Sequence, residues 1–142
     1  MRRLASILAL AICLACSAPA LETTGIIVQD GTPLGELTRE RVTDLVTGRV
    51  ISLPGGQRVV LVLSYGPAGQ AAMQDLAARD VARLMRGWKR LVFGVGGSLP
   101  LTAADDRTAW ELLARTPGGV LPSIRPAAEL PPGLRFVPLP AP

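Results

Sequence analysis

Short apolar runs of strand length alternate along the chain with stretches whose apolar residues recur at helical spacing. Residues 25–29 form a β-branched run that ends at a turn over residues 30–33, and residues 58–63 form an almost continuous apolar run. A run of the second kind is typical of a strand that is covered on both faces. Two shorter segments, residues 120–121 and 134–137, predict further strands near the C-terminus.

Helical spacing predicts three helices between these strands. The first begins after Thr38, whose hydroxyl can cap it, and ends near Gly48. The second and longest runs from Pro67 to about Met85, and the third begins near Thr102 in a Thr-x-x-Asp capping box. The residues predicted to face the core on these helices are Val42, Leu45 and Val46, then Met73, Leu76, Ala77, Val81, Leu84 and Met85, then Ala109, Trp110, Leu113 and Ala114.

Strands that alternate with helices predict an α/β domain built on a small, mainly parallel sheet with flanking helices. Residues 87–93 are predicted as a short helical or irregular segment, and residues 94–100 as a glycine-rich loop. The domain is predicted over residues 21–124, and a proline-rich C-terminal tail over residues 125–142. Removing a 20-residue leader from the 142 residues leaves 122, which corresponds to one domain with one core.

The N-terminus has the three parts of a bacterial-type secretory signal peptide. Residues 1–3 are a short basic head, residues 4–15 are uncharged and apolar, and residues 18–20 supply the small side chains that a signal peptidase accepts. The apolar run is shorter than the ~20 residues that a membrane-spanning helix needs, so no membrane span is predicted. We therefore expect a signal peptide over residues 1–20 and a periplasmic or secreted protein. A second interpretation takes Cys16 as the acylated N-terminus of a lipoprotein.

Removing the signal peptide changes what the composition implies. Both cysteines, Cys13 and Cys16, are lost with it, and the chain has no histidine, so zinc sites, Cys–His pairs and Ser–His–Asp triads are excluded. Loss of Arg2 and Arg3 lowers the basic count from 15 to 13, against 11 acidic residues. The arginines are scattered along the sequence and aromatic residues are few, which argues against a nucleic-acid partner. No metal, cofactor or catalytic group is predicted, and we do not expect an enzyme.

Three further motifs have a structural interpretation that is stronger than the functional one. The glycine-rich residues 94–97 resemble a dinucleotide-binding loop, but a proline follows where a helix should start. Asp105 and Asp106 could form a pair of catalytic carboxylates, yet acidic residues in the first turn of a helix are typical of capping. Trp88 and Trp110 could stack on a ligand, although tryptophans in a small domain are more often core residues.

The segment over residues 63–70 passes from a buried strand through a tight turn into the longest helix. The free backbone N–H groups at the start of that helix point outward beyond the carboxyl end of the strand, a geometry that can hold an oxyanion. Every α/β unit has a turn of this kind, so the segment also has a purely structural interpretation. The candidate ligand-binding residues are Ser64, Tyr65, Ala68, Gly69 and Gln70.

Seven short motifs follow one another between about residues 25 and 124. They are Thr32-Pro33; Leu37-Thr38 through Val46-Thr47-Gly48-Arg49; Leu53-Pro54-Gly55-Gly56; Val59 to Leu63; Ala68-Gly69-Gln70; Trp88 to Phe93-Gly94 with Pro100; and Thr116-Pro117-Gly118-Gly119-Val120. In this order and spacing the chain resembles the phosphate-binding, substrate-capturing proteins of ABC transporters. The resemblance implies one lobe of a type II periplasmic binding protein, phosphate or another small oxyanion as ligand, and a transporter as partner.

The chain also departs from the family pattern. Ala68 and Gln70 stand where the family has serine and threonine hydroxyls, and the chain is long enough for one lobe where the family uses two. A ligand on a single open lobe stays exposed to water, which weakens its charge interactions. Two hypotheses follow: a solute-binding-like protein with weak oxyanion binding, and a non-catalytic envelope interaction protein that keeps the lobe fold without a ligand. An exposed apolar face around Trp88, Leu91 and Phe93 would favour the second.

Overall fold

The computed structural model describes residues 22–53 and 56–142, so the predicted signal peptide over residues 1–20 lies outside the described residues. Within them the chain forms five strands and four helices, which alternate except that α3 follows α2 and β5 follows β4 directly. In chain order they are β1 (Thr24–Gln29), α1 (Arg39–Val46), β2 (Val60–Ser64), α2 (Pro67–Ala77), α3 (Val81–Val95), β3 (Leu101–Ala103), α4 (Asp106–Ala114), β4 (Gly119–Ile124) and β5 (Leu134–Pro138).

The strands form one sheet in the order β3, β2, β4, β1, β5. Strands β3 and β4 both run parallel to β2, with Leu63 opposite Thr102 and Leu61 opposite Val120. Strand β1 runs antiparallel to β4 on one side and to β5 on the other. The structure confirms an α/β fold with a small sheet and flanking helices. The parallel pairs form one half of the sheet and the antiparallel pairs the other.

Helices cover both faces of the sheet. Successive residues of a strand point to opposite faces, so a strand with apolar residues at successive positions needs cover on both sides. On β2, Leu61 and Leu63 pack with helices α1, α2 and α3, whereas Val62 packs with α4. This confirms the strand expected at residues 58–63 and its cover on two sides. The core residues on the α4 side are Ile27, Val62, Ala103, Ala109, Leu113, Leu121 and Leu134.

The proline-rich segment after Ile124 returns to the sheet as β5. In this pairing Val137 lies opposite Ile26. Leu134 and Leu139 are 8% and 7% exposed, and they belong to the two core clusters on opposite faces of the sheet. The strand predicted over residues 134–137 is therefore confirmed, and its side chains contribute to the core.

The longest predicted helix is two helices, because the backbone turns at Ala78, which adopts the left-handed conformation with a φ of 52°. Asp80 then caps α3 by accepting a hydrogen bond of 2.7 Å from the amide of Arg83. Helix α3 continues to Val95, so residues 87–93 and the beginning of the predicted glycine-rich loop are helical. The prediction of one helix from residue 67 to residue 85 was wrong at this break.

The third predicted helix begins later than expected. Thr102 lies in strand β3, and the helix N-cap is Asp105, whose carboxylate accepts a hydrogen bond of 2.7 Å from the amide of Thr108. Parallel pairing with the carboxyl end of β2 holds residues 101–103 in extended conformation. Of the predicted core residues on this helix, Ala114 is exposed.

Of the helices that the structure describes, α3 is the longest, with 15 residues. Among residues 22–53 and 56–142, no helix combines the length and the apolar character that crossing a bilayer requires.

Candidate functional site

The predicted ligand-binding segment lies where β2 passes into α2, at the carboxyl end of the parallel strands. Ser64 is the last residue of β2 and is 1% exposed. Gly66 is the N-cap of α2 and Pro67 is its first residue. A glycine has no side-chain oxygen and a proline has no N–H, so α2 begins without a side-chain cap from its own N-cap residue.

The carboxylate of Asp106, the first residue of α4, supplies the missing cap. Its Oδ2 accepts a hydrogen bond of 3.0 Å from the amide of Ala68, and its Oδ1 accepts one of 3.1 Å from the amide of Gly69. The hydroxyl of Ser64 donates to Oδ1 at 2.7 Å. The carboxylate therefore lies where the amides of a helix N-terminus hold an oxyanion.

The remaining amides at the start of α2 also have partners within the protein. The amide of Gly66 donates to the hydroxyl oxygen of Ser64 at 3.0 Å, and the amide of Gln70 donates to the carbonyl of Gly66 at 2.9 Å. A helix N-terminus leaves only its first few N–H groups without an intrahelical partner. A solute anion can therefore reach the two capped amides only after Asp106 has left them.

Two glycines allow this close approach. A Cβ atom at Gly66 would lie 2.6 Å from the Cγ of Asp106, and a Cβ atom at Gly69 would lie 2.5 Å from the carbonyl oxygen of Ser64. Both distances are well below the ~3.5 Å at which carbon atoms make favourable contact. The turn and the two helix starts fit together only with glycine at these positions.

The structure brings together three of the five predicted ligand-binding residues. Tyr65 is 41% exposed, and its amide donates to the carbonyl of Ala103 at 2.9 Å. The side chain of Gln70 points to α3, where its Oε1 accepts a hydrogen bond of 2.8 Å from the amide of Val81. Binding of a solute by these residues stays a prediction. The three that meet at the Asp106 carboxylate are Ser64, Ala68 and Gly69.

Asp106 is a site residue that the sequence interpretation did not identify. The acidic pair was expected to cap its own helix, and Asp105 does so. Hydrogen bonds from the backbone and then the side chain of Thr108 hold the pKa of Asp105 below its ordinary value. Asp106 instead caps α2 from a different helix. The signal for this role was the start of α2 at Gly66 and Pro67, which offers no cap of its own.

A second charged group ties α2 to its neighbours. The hydroxyl of Thr24 and the guanidinium of Arg39 both donate to Oδ2 of Asp75. These two hydrogen bonds hold the pKa of Asp75 below its ordinary value, and the bond from Thr24 has the larger effect.

In the described part of the chain, no group of three or more His, Cys, Asp or Glu side chains is arranged to hold a metal ion.

Exposed apolar side chains lie at the C-terminal end of α3 and in the loop that follows, and we call them the apolar patch. A groove of 460 Å³ borders it and is lined by α1, β2, α3 and residues 96–100. Trp88 lies at the base of this groove but is 8% exposed, and its Nε1 donates to the carbonyl of Val46 at 2.8 Å. Trp88 is thus a core residue, whereas the rest of the expected apolar face is exposed. The members of the patch are Leu91, Phe93, Val95 and Leu99, which are 36%, 89%, 83% and 41% exposed.

Four arginines within residues 79–90 meet on one surface. Arg79, Arg83, Arg86 and Arg90 line a depression of 320 Å³ together with Gly87. The expectation of scattered arginines was therefore wrong for this part of the chain. Successive turns of α3 bring three of these side chains together, because residues three and four apart share a helix face.

Parallel strands, helices on both faces of the sheet and a helix N-terminus at the carboxyl edge of those strands give the described residues an α/β fold. No protein-family model matches the chain, and no curated protein matches it. A solved structure of an ABC-type phosphate transport receptor from Vibrio cholerae matches 82% of this chain with a TM-score of 0.56 and 12% sequence identity. The match covers 45% of that receptor, so this chain spans less than half of its length. The likeness shows the fold.

Proposed function

We propose that the protein is a non-catalytic, extracytoplasmic interaction protein that keeps the fold of a receptor lobe and holds Asp106 in the place of a bound anion. The observation that carries this proposal is the Asp106 carboxylate, which accepts hydrogen bonds from the amides of Ala68 and Gly69 and the hydroxyl of Ser64. The apolar patch supports the interaction role, because exposed apolar surface of this kind marks binding to a partner.

A carboxylate that belongs to the folded chain competes strongly with an anion from solution. Its effective concentration at the α2 amides is about millimolar or higher, as for other groups held by a short tether. A solute anion must also lose translational and rotational freedom on binding, and Asp106 has already lost it on folding. Both effects favour the internal carboxylate over free phosphate.

Weak oxyanion binding is the second candidate function. It is supported by the same amides and by the fold shared with a phosphate transport receptor. In this case Asp106 swings away from the start of α2, phosphate or another small oxyanion takes its place, and a transporter is the partner. The two candidates differ in whether the unaltered protein binds the anion.

Titration calorimetry with inorganic phosphate and with sulfate distinguishes the candidates. We expect the unaltered protein to give no binding heat at millimolar anion. The Asp106→Ala variant exposes the amides of Ala68 and Gly69, and we expect it to bind both anions with a Kd on the order of millimolar. Glu111→Ala is the matched control, because Glu111 is exposed on the same helix and its loss removes the same charge.

The unaltered protein and the Asp106→Ala variant each test one of the two candidates. Binding of phosphate by the unaltered protein below millimolar concentration would overturn the first proposal in favour of the second. If Asp106→Ala keeps its helical circular dichroism and still binds no anion, the α2 amides are not an anion site: the second candidate fails, and Asp106 is a helix cap rather than a replacement for an anion. Glu111→Ala should behave as the unaltered protein in either case.

The extracytoplasmic location rests on the signal peptide proposed for residues 1–20. Mass spectrometry of the protein recovered from the periplasmic fraction of expressing cells tests it. We expect a chain that begins at Leu21. A chain that begins at an acylated Cys16 would instead establish a membrane-anchored lipoprotein, and an intact Met1 in the cytoplasmic fraction would contradict export.

A further inference from the structure

The outer face of α3 carries a stripe of arginines. Arg83, Arg86 and Arg90 are separated by three and four residues, so they lie above one another on the side of the helix that faces away from the core. Arg79 precedes the helix at the same spacing and lines the same depression as the other three. Gly87 lies between them and contributes no side chain, so the guanidinium groups surround an open depression.

The stability of the helix does not account for this stripe. The sequence has no acidic residue between Asp80 and Asp105, and the ion pairs found among the described residues involve Arg39 and Arg49. Like charges three or four residues apart on a helix repel each other. Arg83 also lies in the first turn of α3, where the helix dipole disfavours a cation. The like charges of the stripe therefore repel one another, and an anionic partner would offset this repulsion.

An apolar tip continues the stripe. Phe93 follows Arg90 by three residues, on the same side of α3, and 89% of its side chain is exposed. Val95 and Leu99 lie beyond it and are also exposed. The row of cations thus ends at an aromatic ring, and at the same end of α3 the exposed Val95 and Leu99 line the groove beside Trp88.

We propose that this surface binds an anionic phospholipid membrane. The arginines pair with lipid phosphates, and Phe93 with its aliphatic neighbours enters the boundary between headgroups and hydrocarbon. The aliphatic side chains favour a bilayer over a nucleic acid, because a sugar–phosphate backbone offers them no apolar contact. This inference deepens the proposed function and rests on it in one respect: a protein exported as we propose works next to a membrane surface.

Vesicle cosedimentation tests the proposal. We expect the protein to sediment with vesicles of phosphatidylglycerol and phosphatidylcholine in equal parts, and to remain in solution with phosphatidylcholine alone. Each arginine near an anionic surface contributes roughly a fivefold gain in binding, so the triple variant Arg83→Gln, Arg86→Gln and Arg90→Gln should bind roughly a hundredfold more weakly. Added salt should weaken binding of the unaltered protein, because it screens the surface charge over about 10 Å at 0.1 M.

A charge-matched control separates the stripe from net charge. Arg49, Arg107 and Arg115 are exposed outside the stripe, and their joint replacement by Gln removes the same three charges. We expect this control to keep most of its vesicle binding. Phe93→Ser should weaken binding by about tenfold without any change in charge. Burying a phenylalanine side chain away from water favours binding by a factor of about this size or larger. Both triple variants carry the N-terminus of the unaltered protein, so a leader or a lipid there contributes equally.

Three results would overturn the proposal. The first is equal vesicle binding by the stripe variant and the unaltered protein, and the second is an equal loss in both triple variants. The third is binding to double-stranded DNA at lower protein concentration than to the vesicles. Phosphate calorimetry repeated on the stripe variant separates the two proposals, because this variant lacks the arginines that could bind phosphate and keeps the Asp106 carboxylate on the α2 amides. A negative vesicle result therefore leaves the proposal about Asp106 unaffected. A negative calorimetric result likewise leaves the membrane proposal unaffected.

Discussion

At the scale of single residues, one carboxylate serves the start of two helices. Asp106 is the first residue of α4 and caps α2, so it lies near the positive ends of both helix dipoles. Removing it leaves the buried hydroxyl of Ser64 and two amides without their partner, at a cost of roughly 1–3 kcal/mol for each group that water does not reach. An anion that replaces the carboxylate would recover part of this loss. The rise in melting temperature from chloride to sulfate should therefore be larger for the Asp106→Ala variant than for the unaltered protein, which shows only the general stabilising effect of sulfate.

The two helical glycines Gly69 and Gly87 should respond in opposite ways to substitution by alanine. A Cβ at Gly69 would lie 2.5 Å from the carbonyl oxygen of Ser64, whereas a Cβ at Gly87 meets no atom within 4 Å. Gly87→Ala should stabilise the protein by up to about 1 kcal/mol, because alanine favours the helix. Gly69→Ala should destabilise it by about 1–3 kcal/mol through overpacking.

Urea unfolding measures both variants, with Gly87→Ala as the control for the general effect of alanine in a helix. If Gly69→Ala were as stable as the unaltered protein, the close approach of the α2 start to the end of β2 would be incorrect. The cap by Asp106 would then lose its structural basis as well.

Local signals at single residues predicted the cap of α1 but not the caps of α2, α3 and α4. The hydroxyl of Thr38 accepts a hydrogen bond of 3.1 Å from the amide of Arg41, as the capping pattern predicts. The sequence places an acid beside Asp105 but does not say which helix that acid caps. Asp106 reaches α2 only because β2 and β3 pair in parallel and bring the two helix starts together. A contact that depends on strand pairing has no local signature.

At the scale of elements, the break between α2 and α3 was hidden by residues that favour a helix. Ala78 interrupts the helix although alanine has the highest helix propensity, and the apolar stripe continues on both sides of it. Asp80 was the local sign of a new helix start. Strand β3 was missed for a different reason: three residues are too few to show an alternating pattern, and its partner β2 lies far away in the sequence.

Strand β5 should be necessary for the fold although it lies in a proline-rich segment. Ending the chain after Ile124 removes one of the two strands beside β1 and the buried side chains of Leu134 and Leu139. Deletion of a buried leucine side chain costs about 2–5 kcal/mol, and a domain of this kind is stable by only about 5–15 kcal/mol in total. We expect the shortened chain to lose its cooperative urea transition.

A shorter deletion provides the control. Removing only residues 140–142, which are exposed, should leave the urea transition in place. A chain that ends after Ile124 and unfolds with the stability of the full chain would show that residues 125–142 are a dispensable tail, as their composition suggests.

At the scale of the whole molecule, the alternation of strands and helices was enough to predict the class of fold. The continuous apolar run at residues 58–63 indicated a strand with two covered faces, and Val62 and Leu63 indeed belong to different core clusters. The order of the strands in the sheet was not accessible in the same way, because the apolar pattern of a strand does not identify its neighbours. The three- and four-residue spacing of Arg83, Arg86 and Arg90 is present in the sequence. It indicates a stripe only once the whole of α3 is known to be helical.

The position of β1 in the sheet also sets when the protein can finish folding. Among the described strands β1 comes first in the chain, yet it pairs with β4 and β5, the last two of them, so that Thr24 meets Ile124. Contacts of such long range are slow to form, since a long loop must close before they contribute. A chain that crosses a membrane from its N-terminus onward would therefore remain incompletely folded, and so able to pass through a transport channel, until β5 has crossed.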